Sequence, residues 1–277
     1  MTHPYIATRA NSPHGTIWFE TQPRHLAGRG DPRHITEALR AAGWANQSDP
    51  AFPHVLLVSP EYRHTVVLEP APEPYGAWWR IRGQEADGRH WYTEFGAHTP
   101  VEILAHLTDA LLKPAPEQTP QIWSPLTEAG WSHERDERGN EIARHPDGIL
   151  SLERWAVEPG ETVHWRAQAA LPNGGGGFQT IWHAYLDERT PPHLIAAFTA
   201  ALAHDAPVQR GMYDVPHSHL VTQEERGPQG EQLAAAHEVR LKAVRAAARK
   251  ARRTAALTTS PSASLAAPAA PAPGRAR

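Results

Sequence analysis

Ala42-Gly43-Trp44 recurs later in the chain as Ala129-Gly130-Trp131, and this repetition decides the fold. Further landmarks recur in the same order, offset by 86 residues at first and by 91 residues after a glycine run at residues 174–177. Several landmarks in one order indicate a tandem pair of small domains. The further pairs are Ser59-Pro60-Glu61 with His145-Pro146-Asp147, Trp79-Arg80 with Trp165-Arg166, and Trp91 plus Thr99-Pro100 with Trp182 plus Thr190-Pro191.

Each copy reads as a helix, several strands and a second helix. In the first copy, Asp31 can cap a helix that Pro32 begins, and Gly43 can end it. Apolar segments then predict strands, and the capping box Thr99-Pro100-Val101-Glu102 predicts the start of the second helix. We therefore predict an α+β fold of two tandem two-layer domains, each an antiparallel sheet flanked by an N-terminal and a C-terminal helix. The predicted strands are 55–58, 65–68, 78–81 and 91–95 in the first copy, and 148–152, 163–167 and 180–185 in the second.

The segments outside the two copies differ from them in composition. Residues 16–20 are apolar enough for one strand, and a proline-rich piece joins the copies. The Ala/Pro/Ser-rich end of the chain is typical of disorder. The predicted organisation is an N-terminal segment 1–21 with a candidate strand, a first repeat 22–113, a linker 114–121, a second repeat 122–207, an irregular connector 208–230, a basic helix 231–254 and a disordered tail 255–277.

Composition excludes several classes of protein. None of the 277 residues is cysteine, which excludes a disulfide framework, a thiolate nucleophile and a cysteine zinc site. No run approaches the roughly 20 apolar residues that a membrane helix needs, and the first residues lack the pattern of a secretory signal. We therefore expect a cytoplasmic protein that makes no membrane contact.

Taken together, the motifs resemble those of a known family. In their order they are similar to the actinobacterial SPDY family, domain of unknown function 317, which often occurs in tandem. The resemblance covers residues 22–207 and implies a shared fold and a genomic context of plasmids and other mobile elements. It implies no activity and no catalytic residue. The motifs are Leu26-Ala27-Gly28-Arg29-Gly30-Asp31-Pro32, Ala42-Gly43-Trp44, Ser59-Pro60-Glu61-Tyr62 with glutamate for the usual aspartate, a Trp-Arg strand, Trp91 to Phe95, Thr99-Pro100-x-Glu102 and Thr108-Asp109-Ala110-Leu111.

Two adjacent tryptophans mark a candidate interaction surface. Tryptophans that recur in both copies are expected in the core, but Trp78 directly precedes Trp79, and neighbouring residues of a strand point to opposite faces. One of the two should therefore face outward or toward the other copy, together with Arg80. In the second copy Arg166 is the counterpart of Arg80. The predicted interaction surface consists of Trp78, Arg80 and Arg166.

No arrangement of residues in the sequence indicates catalysis. The nucleophile motif G-x-S-x-G and the zinc motif H-E-x-x-H are absent. His217-x-His219, with His237, could form a metal site, but exposed loop histidines are the preferred interpretation. The glycine run at residues 174–177 lacks the G-K-[ST] ending of a phosphate loop and reads as a hairpin tip. We therefore expect no enzymatic activity, no cofactor and no metal ion.

Positive charge is concentrated at the C-terminus. Residues 237–277 contain nine Lys or Arg and one acid, a net charge of +8, so the chain total of −3 leaves −11 for residues 1–236. A basic helix can neutralise phosphates without reading base sequence. It could equally dock on an acidic protein surface, and the protein's own repeats are one such surface. The candidate nucleic-acid contacts are Arg240, Lys242, Arg245, Arg249, Lys250, Arg252 and Arg253.

These observations leave three functions open. The first is a non-enzymatic binding protein with an unknown protein partner, whose two copies pack as an intramolecular pseudo-dimer and whose basic tail adds affinity for a polyanion. The second is a nucleic-acid-associated accessory factor of a mobile element, which contacts its target through the basic helix. The third is an enzyme of unknown type, which a deep pocket with convergent polar groups would indicate.

Overall fold

The structure, a computed structural model, describes residues 16–70, 76–156 and 163–259. Strands and α-helices both occur in these ranges, which confirms the α+β class. The strands are β1 Trp18–Gln22, β2 Ala45–Asn46, β3 Val55–Val58, β4 His64–Leu68, β5 Ala77–Gln84, β6 His90–Gly96, β7 Ser132–Arg135, β8 Glu141–Arg144, β9 Leu150–Ala156, β10 Val163–Pro172, β11 Phe178–Leu186, β12 Val208–Gly211 and β13 Thr222–Glu224. The helices are α1 Arg33–Ala41, α2 Val101–Leu111, α3 Ser124–Glu128, α4 Pro192–Ala203 and α5 Gly230–Thr259.

A single ten-stranded antiparallel sheet runs through both repeats. Its strand order is β2-β3-β4-β5-β6-β11-β10-β9-β8-β7, so β6 of the first repeat pairs with β11 of the second. At this junction Glu94 lies opposite Tyr185 and Phe95 lies opposite Ala184. The sequence pattern predicts one sheet for each repeat. The structure joins them, because an edge strand exposes unpaired N–H and C=O groups that another edge strand can satisfy.

The helices of the two repeats enclose one hydrophobic core. Helix α2 packs against α4, while α1 packs against α2 and α3 against α4. Phe95 from the first repeat meets Phe198 from the second edge to face, with 5.6 Å between ring centroids. Both side chains are completely buried. The recurrent tryptophans Trp79 and Trp182 are also buried in this core, as the repeat predicts.

The N-terminal strand lies in a small sheet of its own. Strand β1 is held between β12 and β13, both of which follow the second repeat. The connector 208–230, predicted to be irregular, therefore contains two strands. The prediction of an irregular segment is wrong because both strands pair with β1, about 200 positions earlier in the chain. In that pairing Thr21 lies opposite Val208 on one side and Gln223 on the other.

The capping box predicted for the second helix of the first repeat does not form. Helix α2 has no side-chain hydrogen bond at its N-cap, and the Val101 N–H donates to the Arg29 carbonyl at 2.9 Å. Glu102 instead accepts two hydrogen bonds from Arg210, at 2.7 and 2.8 Å. Arg210 belongs to β12 and is almost completely buried, so a residue outside the repeat outcompetes the local cap.

The C-terminal helix is longer than its sequence pattern predicts. Helix α5 extends to Thr259, five residues beyond the expected end at residue 254. Most of the predicted disordered tail, residues 260–277, lies outside the described residues. Among the helices of the described ranges, none combines the length and the apolar character that a membrane crossing would need.

Candidate interaction surfaces

The arginines predicted on the outer face of each sheet lie in one row across the joined sheet. Arg80 lies opposite Glu94, Glu94 opposite Tyr185, and Tyr185 opposite Arg166. These residues alternate with the core positions of their strands, so all four side chains stand on the face away from the core. The row crosses the junction between β6 and β11. It joins the two predicted arginines through Glu94 and Tyr185, which the sequence analysis does not identify.

Charge within this row is balanced by local pairs. The Arg80 guanidinium lies 2.6 Å from the Glu69 carboxylate. The Tyr92 hydroxyl donates to the Glu94 carboxylate at 2.7 Å. Burial, followed by this hydrogen bond, raises the pKa of Tyr92 to about 12. Arg166 is exposed, so the second repeat contributes the more accessible of the two arginines.

Trp78 does not belong to this accessible face. Its side chain is buried, and the Arg29 guanidinium lies 4.9 Å from its ring centroid. The pairing of β5 with β6 shifts register between Ala77 and Trp79, so strict alternation of faces fails at this point. Trp78 and Trp79 are both buried for this reason. The prediction that one of the two faces outward is therefore wrong. The alternative, that one of them faces the other copy, stays a prediction.

Helix α5 is docked on the first repeat along one side. It packs against α1, and Leu241 is buried at the contact. Arg240 donates two hydrogen bonds to Asp109, at 2.7 and 2.9 Å, and another to the His34 carbonyl at 2.7 Å. His237 forms a 2.8 Å hydrogen bond with Glu37. Arg240, a candidate nucleic-acid contact, is thus engaged inside the protein.

The other candidate contacts on α5 are exposed. Lys242, Arg245, Arg249 and Arg253 follow one another at spacings of three, four and four residues, which places them along one side of the helix. At about 100° per residue, the centre of this set is turned roughly 130° around the helix from the docked residues His237, Arg240 and Leu241, and Arg245 lies closest to them. We call Lys242, Arg245, Arg249 and Arg253 the basic stripe. At 1.5 Å per residue it is about 16 Å long. The remaining two candidates, Lys250 and Arg252, are also exposed.

Two histidines and an aspartate that the sequence analysis does not assign to a site converge at the second repeat. Asp147 lies 2.8 Å from His25 Nε2 and 2.8 Å from His145 Nδ1. Partial burial acts to raise the pKa of Asp147. Both histidine contacts and the N–H of Ile149 outweigh it and hold the pKa far below the ordinary value. The available signal was the departure of His145-Pro146-Asp147 from Ser59-Pro60-Glu61 in the first copy.

The histidines that the sequence analysis considered for metal binding do not converge. The rings of His217 and His219 lie 6.1 Å apart, whereas His237 is bonded to Glu37. In the part of the chain that the structure describes, the one group of three potential metal ligands is His25, His145 and Asp147. The glycine run forms the turn between β10 and β11, as expected for a hairpin tip.

Comparison with known families supports the resemblance found in the sequence. The model of the SPDY family, a domain of unknown function (DUF317), matches residues 58–117 and again residues 144–208. The chain carries two SPDY regions in tandem. Each region includes strands of the shared sheet and the helix that follows them, α2 in the first and α4 in the second. No curated protein and no solved structure matches the chain.

Proposed function

We propose that this tandem SPDY protein is a non-enzymatic binding protein that holds the phosphate backbone of a nucleic acid on the basic stripe of α5. The observation that carries the proposal is the division of α5 into a docked side and a basic side. The two SPDY regions then act as an intramolecular pseudo-dimer that supports the helix. A cytoplasmic location and a role as an accessory factor of a mobile element are part of the same proposal.

Docking matters because a free basic helix would lose conformational freedom when it bound a polyanion. Leu241 is buried against the first repeat, and Arg240 is held by Asp109 and the His34 carbonyl. A helix that is already held in place loses less entropy on binding, which strengthens association. The acidic partners of the docked side are also neutralised within the protein. They therefore do not compete with a phosphate for the basic stripe.

The length and charge of the stripe suit a nucleic-acid backbone. Each strand of duplex DNA carries one negative charge per roughly 3.4 Å of axis, so about 16 Å along one backbone presents on the order of five phosphates. Four exposed cations over this distance can release counterions without reading base edges. The proposal therefore predicts binding that depends strongly on salt and weakly on base sequence.

The test compares two sets of four charge-removing substitutions. Lys242, Arg245, Arg249 and Arg253 are changed to Ala in one protein. Arg63, Arg89, Arg138 and Arg189, which are exposed elsewhere, are changed to Ala in a matched control of the same net charge. Fluorescence anisotropy with a labelled DNA duplex is recorded across a salt series. The slope of log K against log salt should fall by up to about 0.9 for each phosphate that the stripe variant no longer neutralises.

The proposal requires that the stripe variant bind DNA much more weakly while the control retains the affinity of the parent. Equal losses of affinity in both proteins would mean that only net charge matters and would contradict a built surface. Absence of binding by the unmodified protein at low salt would end the nucleic-acid proposal.

A protein partner on the outer face of the sheet is the second candidate. It is favoured by the row in which Arg80 and Arg166 of the two SPDY regions lie on one face of the continuous sheet. The double variant Arg80→Ala/Arg166→Ala should leave DNA binding unchanged if this face serves a separate partner. Loss of DNA binding in that variant would instead extend the nucleic-acid surface to the sheet.

A further inference from the structure

We infer that His25, His145 and Asp147 form a binding site for a divalent transition-metal ion of the zinc class. His25 lies in a short helical turn, Arg24–Leu26, that follows β1, and the other two residues lie between β8 and β9 of the second repeat. One donor atom from each residue can be chosen so that all three lie within 4.8 Å of one another. The site would connect the start of the first repeat to the second repeat.

The donor set suits such an ion. Two imidazole nitrogens and one carboxylate are typical ligands of zinc, which binds nitrogen and oxygen at about 2.0–2.2 Å. In a tetrahedral site these bond lengths place donors about 3.3 Å apart. The two histidine–aspartate contacts, at 2.8 Å each, are slightly shorter than this separation. Donor movements of roughly an ångström or less would bring all three into a tetrahedral arrangement.

The contact between His25 and Asp147 differs from an ordinary hydrogen bond. His25 Nε2 is buried and lies 2.8 Å from the carboxylate, yet it has no partner that meets the angle of a hydrogen bond. By contrast, His237 forms a well-directed hydrogen bond with Glu37 at the same 2.8 Å. A buried polar atom of this kind requires an explanation, and an ion is one of the recognised ones.

His145 presents a second sign of the same arrangement. His145 Nδ1 lies 2.8 Å from the Asp147 carboxylate and 3.3 Å from the backbone N of Asp147, so it lies on the same carboxylate as His25. An imidazole binds a metal ion through an unprotonated nitrogen, so an ion held by Nδ1 and the carboxylate would replace the direct contact between these two side chains. A metal ion bound by Nδ1 and the carboxylate would satisfy both atoms.

The site is accessible to an ion from solution. The side chain of Asp147 is 28% exposed and that of His145 19%, whereas that of His25 is only 6% exposed. The buried ligand thus lies behind two accessible ones, which provides an entry path. Three protein ligands leave a fourth position for water or another small ligand.

The first repeat lacks these ligands at the equivalent turn. There the Ser59 hydroxyl accepts hydrogen bonds from the N–H groups of Arg63 and His64, while Glu61, the counterpart of Asp147, is exposed. The first repeat therefore forms its turn with a local serine, and the second replaces that serine with a histidine. Glu61→Gln provides a matched control in the same protein for Asp147→Asn.

The experiment is isothermal titration of the full chain, stripped of metal with a chelator, with Zn²⁺. We expect one high-affinity equivalent per chain and a rise in melting temperature. Asp147→Asn and His145→Ala should each weaken Zn²⁺ binding by roughly 100-fold or more. Loss of a residue that only orients a ligand already lowers metal affinity by about 10–100-fold, and loss of the ligand itself should cost at least as much. Glu61→Gln should bind as the parent does.

A second measurement requires no variant. Histidine side-chain ¹⁵N resonances of the unmodified protein should shift at His25 and His145 when one equivalent of Zn²⁺ is added. The proposal is overturned if the parent binds no stoichiometric Zn²⁺. It is likewise overturned if folded Asp147→Asn retains the parent's affinity, or if the resonances that shift belong to other histidines such as His217 and His219.

Discussion

The two SPDY regions share strands and a closing helix, but they contact different segments of the chain. The first repeat holds α5 through Glu37 and Asp109, and it holds β12 through Glu102. At the offsets of the internal repeat the second copy has Ser124, Ala200 and His193 at these positions. None of the three can carry the negative charge that the contacts with His237, Arg240 and Arg210 use. A few substitutions on a common fold therefore determine that α5 docks on the first repeat only.

The second repeat differs in the opposite way at its first turn. Asp147 lies against His25 from the start of the first repeat, before α1, whereas the equivalent Glu61 is exposed. One repeat thus contacts the C-terminal helix, and the other contacts the segment that precedes α1. The two repeats share the order of their strands and closing helix, and the polar positions at their edges give them different contacts.

Glu102→Ala should produce the largest effect, because it removes the charged partner of the buried Arg210. Breaking a buried ion pair typically costs 3–5 kcal/mol. We expect a loss of about 3 kcal/mol in the free energy of unfolding, since backbone carbonyls still accept from this guanidinium. Urea denaturation would measure it. His193→Ala, at the equivalent position of the second repeat, should cost much less, and equal losses of stability would refute the asymmetry between the repeats.

The same ion pair predicts how stability depends on pH. Burial acts to raise the pKa of Glu102, but the Arg210 guanidinium outweighs it and holds the pKa below the ordinary 4.5. The stabilisation is therefore complete above the pKa of the unfolded chain and is lost as the pH falls through the lower pKa of the folded protein. The stability difference between the parent and Glu102→Gln should be constant near neutral pH and shrink below about pH 4.5. A difference that grows on acidification would contradict this assignment.

Gly83→Ala should have the next largest effect, because a Cβ atom there would lie 2.1 Å from Cε2 of Trp91. The overlap should cost about 1–3 kcal/mol, as overpacked sites generally do. The second repeat has Ala169 at this position, opposite Trp182, with a register shift directly after it. Thermal unfolding should show that Ala169→Gly costs only about 0.5–1 kcal/mol. A neutral Gly83→Ala variant would mean that Trp91 can move aside.

The docking contact of α5 should give the smallest effect. The pair of Asp109 and Arg240 is partly exposed, so its coupling energy should be about 1 kcal/mol. A double-mutant cycle with Asp109→Ala and Arg240→Ala would measure this coupling. Hydrogen exchange should show faster opening of α5 in both single variants. Arg245→Ala on the exposed side should change neither quantity. A coupling near zero would mean that the other contacts, such as Leu241 and the pair of His237 and Glu37, hold the helix.

The positions of most repeat elements could be predicted because their patterns are local. Helix α1 lies between the predicted signals at Asp31 and Gly43, and β3 and β4 form around the expected turn. Strands β7 and β8 were missed, since their polar residues show little alternation. For the candidate surfaces, the basic residues of α5 were visible in the sequence. Which side of that helix is docked was not, because this depends on Asp109 and Glu37 in a distant part of the chain.

By itself the sequence determined that the chain is a tandem repeat of an α+β unit followed by a basic helix. Periodicity and turn residues are local patterns, and the repeat becomes visible when the chain is compared with itself. A single sequence is therefore enough to detect all three. Only the tertiary structure decided that β6 pairs with β11, that β1 lies between β12 and β13, and that His25 meets Asp147. Backbone pairing at sheet edges depends little on side chains, and contacts between residues about 90 or more positions apart leave no local pattern.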